Sequence, residues 1–214
     1  MLFSGDQRTK ILLYAGRLSP EKNLSLLIEM MERLASDESS DYRLIVAGDG
    51  PLSTWFENEA RLRAPGRVHS LGHIRNRAAL IDLYANCDAF VHPNPREPFG
   101  IAPLEAMAAG LPLVAPKSGG VLSYADETNA WLAEANAGAF AAAVRSAFDQ
   151  TAVCRDKLAR ALWTTKRYSW ESVTAQFFDL YDELHAGSPA SGFAHKLKLQ
   201  PSNNRSEEII REEP

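Results

Sequence analysis

The chain has 214 residues, of which 45% are apolar and 23% charged, a composition typical of globular proteins with a sizeable core. Its 23 basic and 27 acidic side chains give a net charge of −4, which predicts no nucleic-acid partner and requires local groups to hold any phosphate. Two distant cysteines, Cys87 and Cys154, fit neither a disulfide framework nor a zinc site. No secretory leader or long apolar run is evident. We therefore expect a cytoplasmic chain without a membrane span.

Six short apolar runs recur along the first two thirds of the chain. Because these runs are apolar on both faces, we expect parallel strands covered by helices. The intervals between them carry helical periodicity, as in 23–35, where Leu24, Leu27 and Ile28 share one face. The alternation predicts a Rossmann-like open α/β sheet of about six parallel strands with helices on both faces. The predicted strands are 11–16, 43–48, 68–72, 88–93, 111–116 and 129–133, and the predicted helices are 23–35, 52–63, 77–86, 101–109 and 139–149.

Two helices are expected after about residue 153, the second one beginning at the N-cap Ser169. Its apolar stripe indicates either an extra helix packed on the sheet or a bridge to a further domain. From residue 187 to 214 the composition turns to serine, proline, asparagine and charge, which predicts a disordered tail. We therefore expect one domain over 1–186 and a tail over 187–214. The stripe consists of Phe177, Phe178, Tyr181 and Leu184.

The loop after the first strand, residues 16–23, carries two cations, Arg17 and Lys22, beside the start of a helix. Loops at the carboxyl ends of parallel strands converge on the ligand crevice, and Gly16 permits close backbone approach there. A diphosphate suits such a place. The alternative is a solvated turn in which Glu21 balances one cation. No P-loop motif is present.

Two further glycine-rich segments follow predicted strands. The first, at 48–51, resembles a dinucleotide fingerprint but lacks its third glycine and the acidic residue after the next strand. A plain turn with Pro51 at the first helical position explains it better. The second segment, 116–121, could contact phosphate or sugar, or could simply form a turn.

The proline-rich segment 92–105 offers the most chemistry. The helix predicted from Ile101 presents unpaired N–H groups and a partial positive charge to an anion. Glu97 and Glu105, eight residues apart, could hold a polyhydroxylated ligand between them. Each could instead be an ordinary helix-associated glutamate. His92 could be a hydrogen-bonded residue at the end of a strand or a catalytic one.

Several of these segments together resemble the C-terminal, donor-binding domain of retaining GT-B glycosyltransferases, family 4, over about residues 10–185. The most specific match is Glu97-Pro98-Phe99-Gly100 continuing to Leu104-Glu105-Ala106-Met107, the family's E-x7-E pattern. Gly16-Arg17-Leu18 through Glu21-Lys22-Asn23 matches its phosphate-binding loop, and 48–51 matches the turn after its second strand. Many family members carry Pro-Glu after the double glycine, where this chain has Val121-Leu122.

The resemblance implies binding of a nucleoside-diphosphate sugar and retaining transfer of its glycosyl group, with no metal ion or other cofactor. Arg17 and Lys22 would neutralise the diphosphate, Glu97 would hold hydroxyls of the transferred sugar, and Glu105 would bind the ribose. Gly16 and the backbone N–H groups of the helix start would assist, and the loop 72–75 would border the base. The implied backbone contacts are Gly16, Ile74, Gly100, Ile101 and Ala102.

The resemblance also implies partners. The acceptor, a glycan, lipid or small molecule, would be held by an N-terminal domain supplied in cis or in trans, and the full enzyme could associate peripherally with the inner face of the membrane. Two alternatives stay open. One is a nucleotide-sugar binding module without catalytic activity, and the other is a glycoside hydrolase using Glu97 and Glu105, which leaves Arg17 and Lys22 without a role.

Overall fold

The computed structural model describes residues 9–37, 40–149 and 151–186. These residues form six strands and seven α-helices, in the predicted alternation. The tail predicted over 187–214 lies outside the described residues, and its boundary at 186 stays a prediction. The strands are β1 (Thr9–Ala15), β2 (Asp41–Ala47), β3 (Val68–Gly72), β4 (Ala89–Val91), β5 (Leu113–Pro116) and β6 (Trp131–Ala133). The helices are α1 (Ser25–Leu34), α2 (Ser53–Arg63), α3 (Arg77–Ala85), α4 (Ile101–Ala108), α5 (Ala137–Ala147), α6 (Ala152–Lys166) and α7 (Trp170–Ala186).

All six strands pair in parallel in the order β3-β2-β1-β4-β5-β6. The first crossovers run outward from β1 to β2 and β3, and the chain then returns to place β4 on the other side of β1. The strand order therefore reverses between β1 and β4. In open α/β sheets the ligand crevice lies at such a reversal, outside the carboxyl ends of the strands.

The sheet is covered on both faces, as predicted. Leu12 of β1 belongs to a core shared with Leu27 of α1, Phe56 of α2 and Phe140 of α5. Leu13, the next residue, points to the opposite core, where α3, α4 and α6 pack. Successive strand residues thus face different helical layers, which explains why the strands are apolar on both faces.

The described chain divides into two compact units between Ser169 and Trp170. Helix α7, in the second unit, begins one residue after the predicted cap, and the rings of Phe177 and Tyr181 lie 6.4 Å apart along its predicted apolar stripe. Both interpretations of this helix stay predictions. Across the described ranges, no helix has the length and apolar content that crossing a membrane requires.

Candidate functional site

Two cavities lie where the loops after β1, β2 and β4 meet. The larger, of about 640 Å³, extends over the β2 and β3 ends, and the smaller, of about 390 Å³, lies against the β4 loop. They adjoin at four residues that line both, Ala15, Gly16, Arg17 and Ala102. The structure thus brings the predicted cation Arg17 and the start of α4 to one junction.

The larger cavity contains Glu105 and Ile74, which the sequence analysis assigned to ribose and base. The hydroxyl of Tyr84 donates to Oε2 of Glu105 at 3.2 Å and lies 3.3 Å from the carbonyl oxygen of Ala102. Burial, and then the neighbouring charge of Glu105, raises the pKa of Tyr84, so the phenol stays protonated and remains a donor. Tyr84 therefore fixes one carboxylate oxygen and leaves the other available to a ligand.

The smaller cavity is organised around Glu97. Nζ of Lys22 lies 2.8 Å from its Oε2, and Nδ2 of Asn94 donates to the same oxygen at 3.0 Å. Burial alone would raise the pKa of this carboxyl, but the hydrogen bonds from Lys22 and Asn94 outweigh burial and lower it. Glu97 is therefore ionised at neutral pH, with its second oxygen free of these two bonds.

Lys22 reaches Glu97 because of the turn that follows β1. Pro20–Lys22 form one 3-10 turn, which ends at Asn23 with a left-handed φ of 54°. Nδ2 of Asn23 donates to the carbonyl oxygen of Pro93 at 3.0 Å and so ties this turn to the β4 loop. Glu21 accepts a hydrogen bond from Ser19 at 2.5 Å, and Lys22 pairs with Glu97 rather than with the carboxylate one residue before it.

The start of α4 lies at both cavities, since Gly100 and Ile101 line the smaller one and Ala102 lines both. Gly100 has a φ of +87°, and a Cβ there would lie 2.9 Å from the hydroxyl oxygen of Tyr124. That hydroxyl donates to the carbonyl oxygen of Gly100 at 2.6 Å and fixes the turn into the helix. The first N–H groups of α4 lack intrahelical partners, so an anion would find donors there.

Two glycines interpreted as turn residues serve a different purpose. A Cβ on Gly48 would lie 1.9 Å from the carbonyl oxygen of Gly16, and one on Gly120 would lie 1.8 Å from that of Pro98. Neither residue has the left-handed φ that would require glycine on conformational grounds. Both are needed because neighbouring loops cross at backbone distance. Pro51 also differs from expectation, because α2 begins two residues later, at Ser53.

Sequence reasoning missed two residues that support the site, Asn94 and Tyr84. Asn94 had a signal, since it lies in the same stiff loop three residues before Glu97. Tyr84 had none, because only the packing of α3 beside α4 brings it to Glu105.

The two glutamates, Glu97 and Glu105, line different cavities, which does not favour a hydrolytic pair. No cluster of three potential metal ligands occurs within 9–37, 40–149 and 151–186, and the expectation of metal-free chemistry stays a prediction.

Comparisons with known proteins give the family. The profile of the family described as glycosyl transferases group 1 matches residues 4–162. The chain is 35% identical over 178 residues to the glycogen synthase of Mycobacterium tuberculosis, covering 79% of this chain and 42% of that protein. It is 31% identical over 165 residues to the GDP-mannose-dependent alpha-(1-6)-phosphatidylinositol dimannoside mannosyltransferase of the same species, covering 77% of this chain and 42% of that protein. The chain thus spans less than half the length of these relatives.

Solved structures agree on the fold. Anabaena HepE in complex with UDP superposes with a TM-score of 0.71 at 22% identity, over 82% of this chain and 49% of that one. The C-terminal domain of LpcC, a group 1 protein of Francisella tularensis, superposes with a TM-score of 0.64 at 19% identity, over 76% of this chain and 87% of that one. The architecture is the Rossmann-like α/β sheet of GT-B glycosyltransferases. Profile, relatives and fold together place this chain in the glycosyl transferases group 1 family.

Proposed function

We propose that this chain is the donor-binding half of a retaining GT-B glycosyltransferase of family 4, which binds a nucleoside-diphosphate sugar. The observation that carries the proposal is the pair of adjoining cavities, the larger lined by Glu105 and the smaller by Glu97, that meet at Arg17 and the start of α4. A nucleotide sugar has the same order of parts: nucleoside, diphosphate and sugar. HepE, which has the same fold, is described in complex with UDP and with UDP-glucose.

The nucleoside belongs in the larger cavity. An ionised carboxylate can accept hydrogen bonds from two vicinal hydroxyls, which a ribose presents. The hydroxyl of Tyr84 orients Glu105 for that contact. The backbone around Ile74, which lines the same cavity, would border the base.

The diphosphate belongs at the junction of the two cavities. Arg17 offers a planar fork that matches phosphate oxygens, and the N–H groups of Ile101 and Ala102 begin a helix whose dipole favours negative charge. Gly16 lets the ligand approach the backbone. Lys22 has three N–H donors, so it can keep its bond to Glu97 while donating to a phosphate oxygen.

The transferred sugar belongs in the smaller cavity, where ionised Glu97 accepts hydrogen bonds from its hydroxyls. When the bond between the anomeric carbon and the phosphate oxygen breaks, negative charge grows on the departing diphosphate. Arg17, Lys22 and the N–H groups of α4 stabilise that charge in place, which is differential binding of the transition state. We propose that no metal ion or other cofactor takes part and that the acceptor attacks the same face of the sugar, giving retention.

The acceptor and its binding domain are part of the same proposal. Residues 1–186 would form the donor domain, residues 187–214 a tail, and α7 would cross to an N-terminal domain that holds a glycan, lipid or small-molecule acceptor. The relatives are more than twice as long as the stretch they share with this chain, which supports a second domain. The whole enzyme would act in the cytoplasm and could bind the inner face of the membrane.

Calorimetric titration of the chain with UDP, GDP, UDP-glucose and GDP-mannose tests the proposal. Truncating Arg17→Ala or Glu105→Ala should weaken binding by about 1.5 to 3 kcal/mol, the contribution of one charged hydrogen bond. Arg155→Ala is the matched control, because this exposed arginine of α6 lines neither cavity. Absence of nucleotide binding, or equal effects of Arg17→Ala and Arg155→Ala, would contradict the assignment.

Transfer assays then separate an enzyme half from a binding module. We expect glycosyl transfer only when an N-terminal domain from a related enzyme is supplied together with this chain. Full activity of the chain alone would contradict the half-site proposal. Nucleotide-sugar binding without transfer in any combination would instead support the binding module.

A further inference from the structure

His92 immediately follows β4. The sequence singles it out, and the proposed function assigns it no role. Its side chain is 6% exposed and lines the smaller cavity together with Glu97 and Lys22. Among the described residues, Nε2 of His92 has no hydrogen-bond partner. Oε2 of Glu97 lies 3.9 Å from Nε2, beyond hydrogen-bond distance.

The state of the ring follows from its surroundings. Burial lowers the pKa of His92 to about 4, against the opposing effect of Glu97, so the ring is neutral at neutral pH. A backbone hydrogen bond at Asn94 favours the protonated form, so its partner there is a carbonyl oxygen. Because Nε2 has no hydrogen-bond partner among the described residues, we assign the ring proton to Nδ1, which can donate it to this carbonyl oxygen. Nε2 therefore presents a lone pair and can only accept.

The neighbouring side chains do not supply the missing donor. Glu97 is ionised and has no proton to give, and among the described residues neither the Lys22 ammonium nor any other donor forms a hydrogen bond to Nε2. Buried polar atoms are nearly always hydrogen-bonded, so an acceptor left open beside a cavity indicates a ligand that brings a donor. The donor must also be able to lie next to a carboxylate. A neutral hydroxyl meets both conditions.

We propose that Nε2 of His92 accepts a hydrogen bond from a hydroxyl of the transferred sugar, beside the hydroxyls that Glu97 holds. This inference rests on the proposed function and deepens it. It makes His92 a binding residue for a hydroxylated sugar, with no part in holding the nucleoside diphosphate. The expected effect of its loss is therefore confined to the sugar.

The test compares UDP with UDP-glucose, and GDP with GDP-mannose, by calorimetric titration of the 214-residue chain. The quantity measured is the gain in affinity that the sugar provides over the nucleoside diphosphate. His92→Phe keeps a flat ring but has no acceptor, and should reduce that gain about tenfold while leaving nucleoside diphosphate affinity unchanged. His92→Gln places a carbonyl oxygen near the Nε2 position and should restore most of the gain.

The same substitution in a Glu97→Gln background shows whether His92 acts directly. If His92 contacts the sugar, His92→Phe lowers the gain in both backgrounds. If its only effect is to orient Glu97, His92→Phe has no further effect once Glu97 is replaced, and the inference is overturned. Thermal unfolding of each variant, followed by circular dichroism, checks that the fold is intact.

Nuclear magnetic resonance of histidine-labelled chain gives a second readout. The Nε2 signal of His92, assigned by its loss in His92→Phe, should move with UDP-glucose and not with UDP. His73, which lines the larger cavity, is the internal control and should respond to both. A signal that moves with neither ligand, or an unchanged sugar gain in His92→Phe while UDP still binds, overturns this inference alone. Failure of the parent chain to bind any of the four nucleotides overturns the proposed function along with it.

Discussion

Replacing Lys22 with methionine tests the ion pair at the centre of the smaller cavity. Methionine keeps the unbranched apolar stem but removes the ammonium that lies 2.8 Å from Oε2 of Glu97. The side chains are 23% and 13% exposed, so this pair lies between surface pairs, worth about 0.2 to 1 kcal/mol, and buried pairs, whose disruption costs about 3 to 5 kcal/mol. Because Asn94 still donates to the carboxylate, we expect Lys22→Met to lower the free energy of unfolding by about 2 kcal/mol at neutral pH.

The pH dependence has a definite sign. The pKa of Glu97 is lower in the folded chain than its ordinary value. Ionisation of Glu97 therefore stabilises the fold at every pH above that ordinary pKa. The contribution is lost as the pH falls through the folded pKa. The difference in free energy of unfolding between Lys22→Met and the parent should therefore be largest at neutral pH and shrink in acid. The pKa of Glu97 should rise in the variant.

Urea unfolding across this pH range measures the effect, and carboxyl NMR titration follows Glu97 directly. Lys117→Met is the matched control, because Lys117 lies 3.2 Å from Glu127 with both side chains about half exposed or more. Its loss should cost less than about 0.5 kcal/mol. Equal losses in the two variants at neutral pH would refute the reasoning. So would a Lys22→Met loss that persists undiminished at a pH where the NMR titration shows Glu97 protonated in the parent chain.

Two other substitutions test the architecture around the site. Gly48→Ala should destabilise the chain by about 1 to 3 kcal/mol because its Cβ would meet a backbone carbonyl. The control Gly138→Ala, in helix α5 with 3.5 Å between its Cβ and the nearest atom, should be neutral or stabilising by up to about 1 kcal/mol. Equal melting temperatures of the two variants would contradict the close-approach argument. Tyr84→Phe should weaken UDP binding about 2- to 12-fold, because Glu105 loses the hydrogen bond that orients it. The control is Tyr42→Phe, which should not change UDP binding because Tyr42 belongs to the core on the other face of the sheet. An unaltered calorimetric affinity in Tyr84→Phe would remove Tyr84 from the site.

The strands could be predicted because a strand buried on both faces is a run of consecutive apolar residues, which the sequence shows without knowledge of the neighbouring strands. Each predicted strand overlaps an observed one, and the errors lie at the ends, where β4 is only Ala89–Val91. The helix predicted over 23–35 is one α-helix from Ser25, preceded by a separate 3-10 turn, because Asn23 adopts a left-handed conformation between them. Apolar spacing does not reveal such an interruption, since Leu24 stays on the same face.

The pairing within the site could not be predicted, because it depends on which strands become neighbours. Lys22 and Glu97 are 75 residues apart, and only the placement of β4 beside β1 brings them within 2.8 Å. The sequence indicated each residue separately and allowed Glu21 as the partner of a cation. It likewise allowed a hydrogen-bonded His92, whereas Nε2 is left without a partner in the described chain. Side-chain chemistry was predictable, and long-range pairing was not.

The reversal of strand order between β1 and β4 also sets when the site can form as the chain is synthesised. The strands on the β2 side and the loop 16–23, which holds Arg17 and Lys22, are all complete once Gly72 at the end of β3 has been synthesised. The carboxylates and the start of α4 follow only after β3 and α3, and β4 pairs with β1 through just Leu12–Ala89 and Leu13–Phe90. Domains generally fold as units, and contacts between distant segments form late. A nascent chain therefore contains Lys22 before its partner Glu97. A ligand that needs both of them can bind only after β4 has paired with β1.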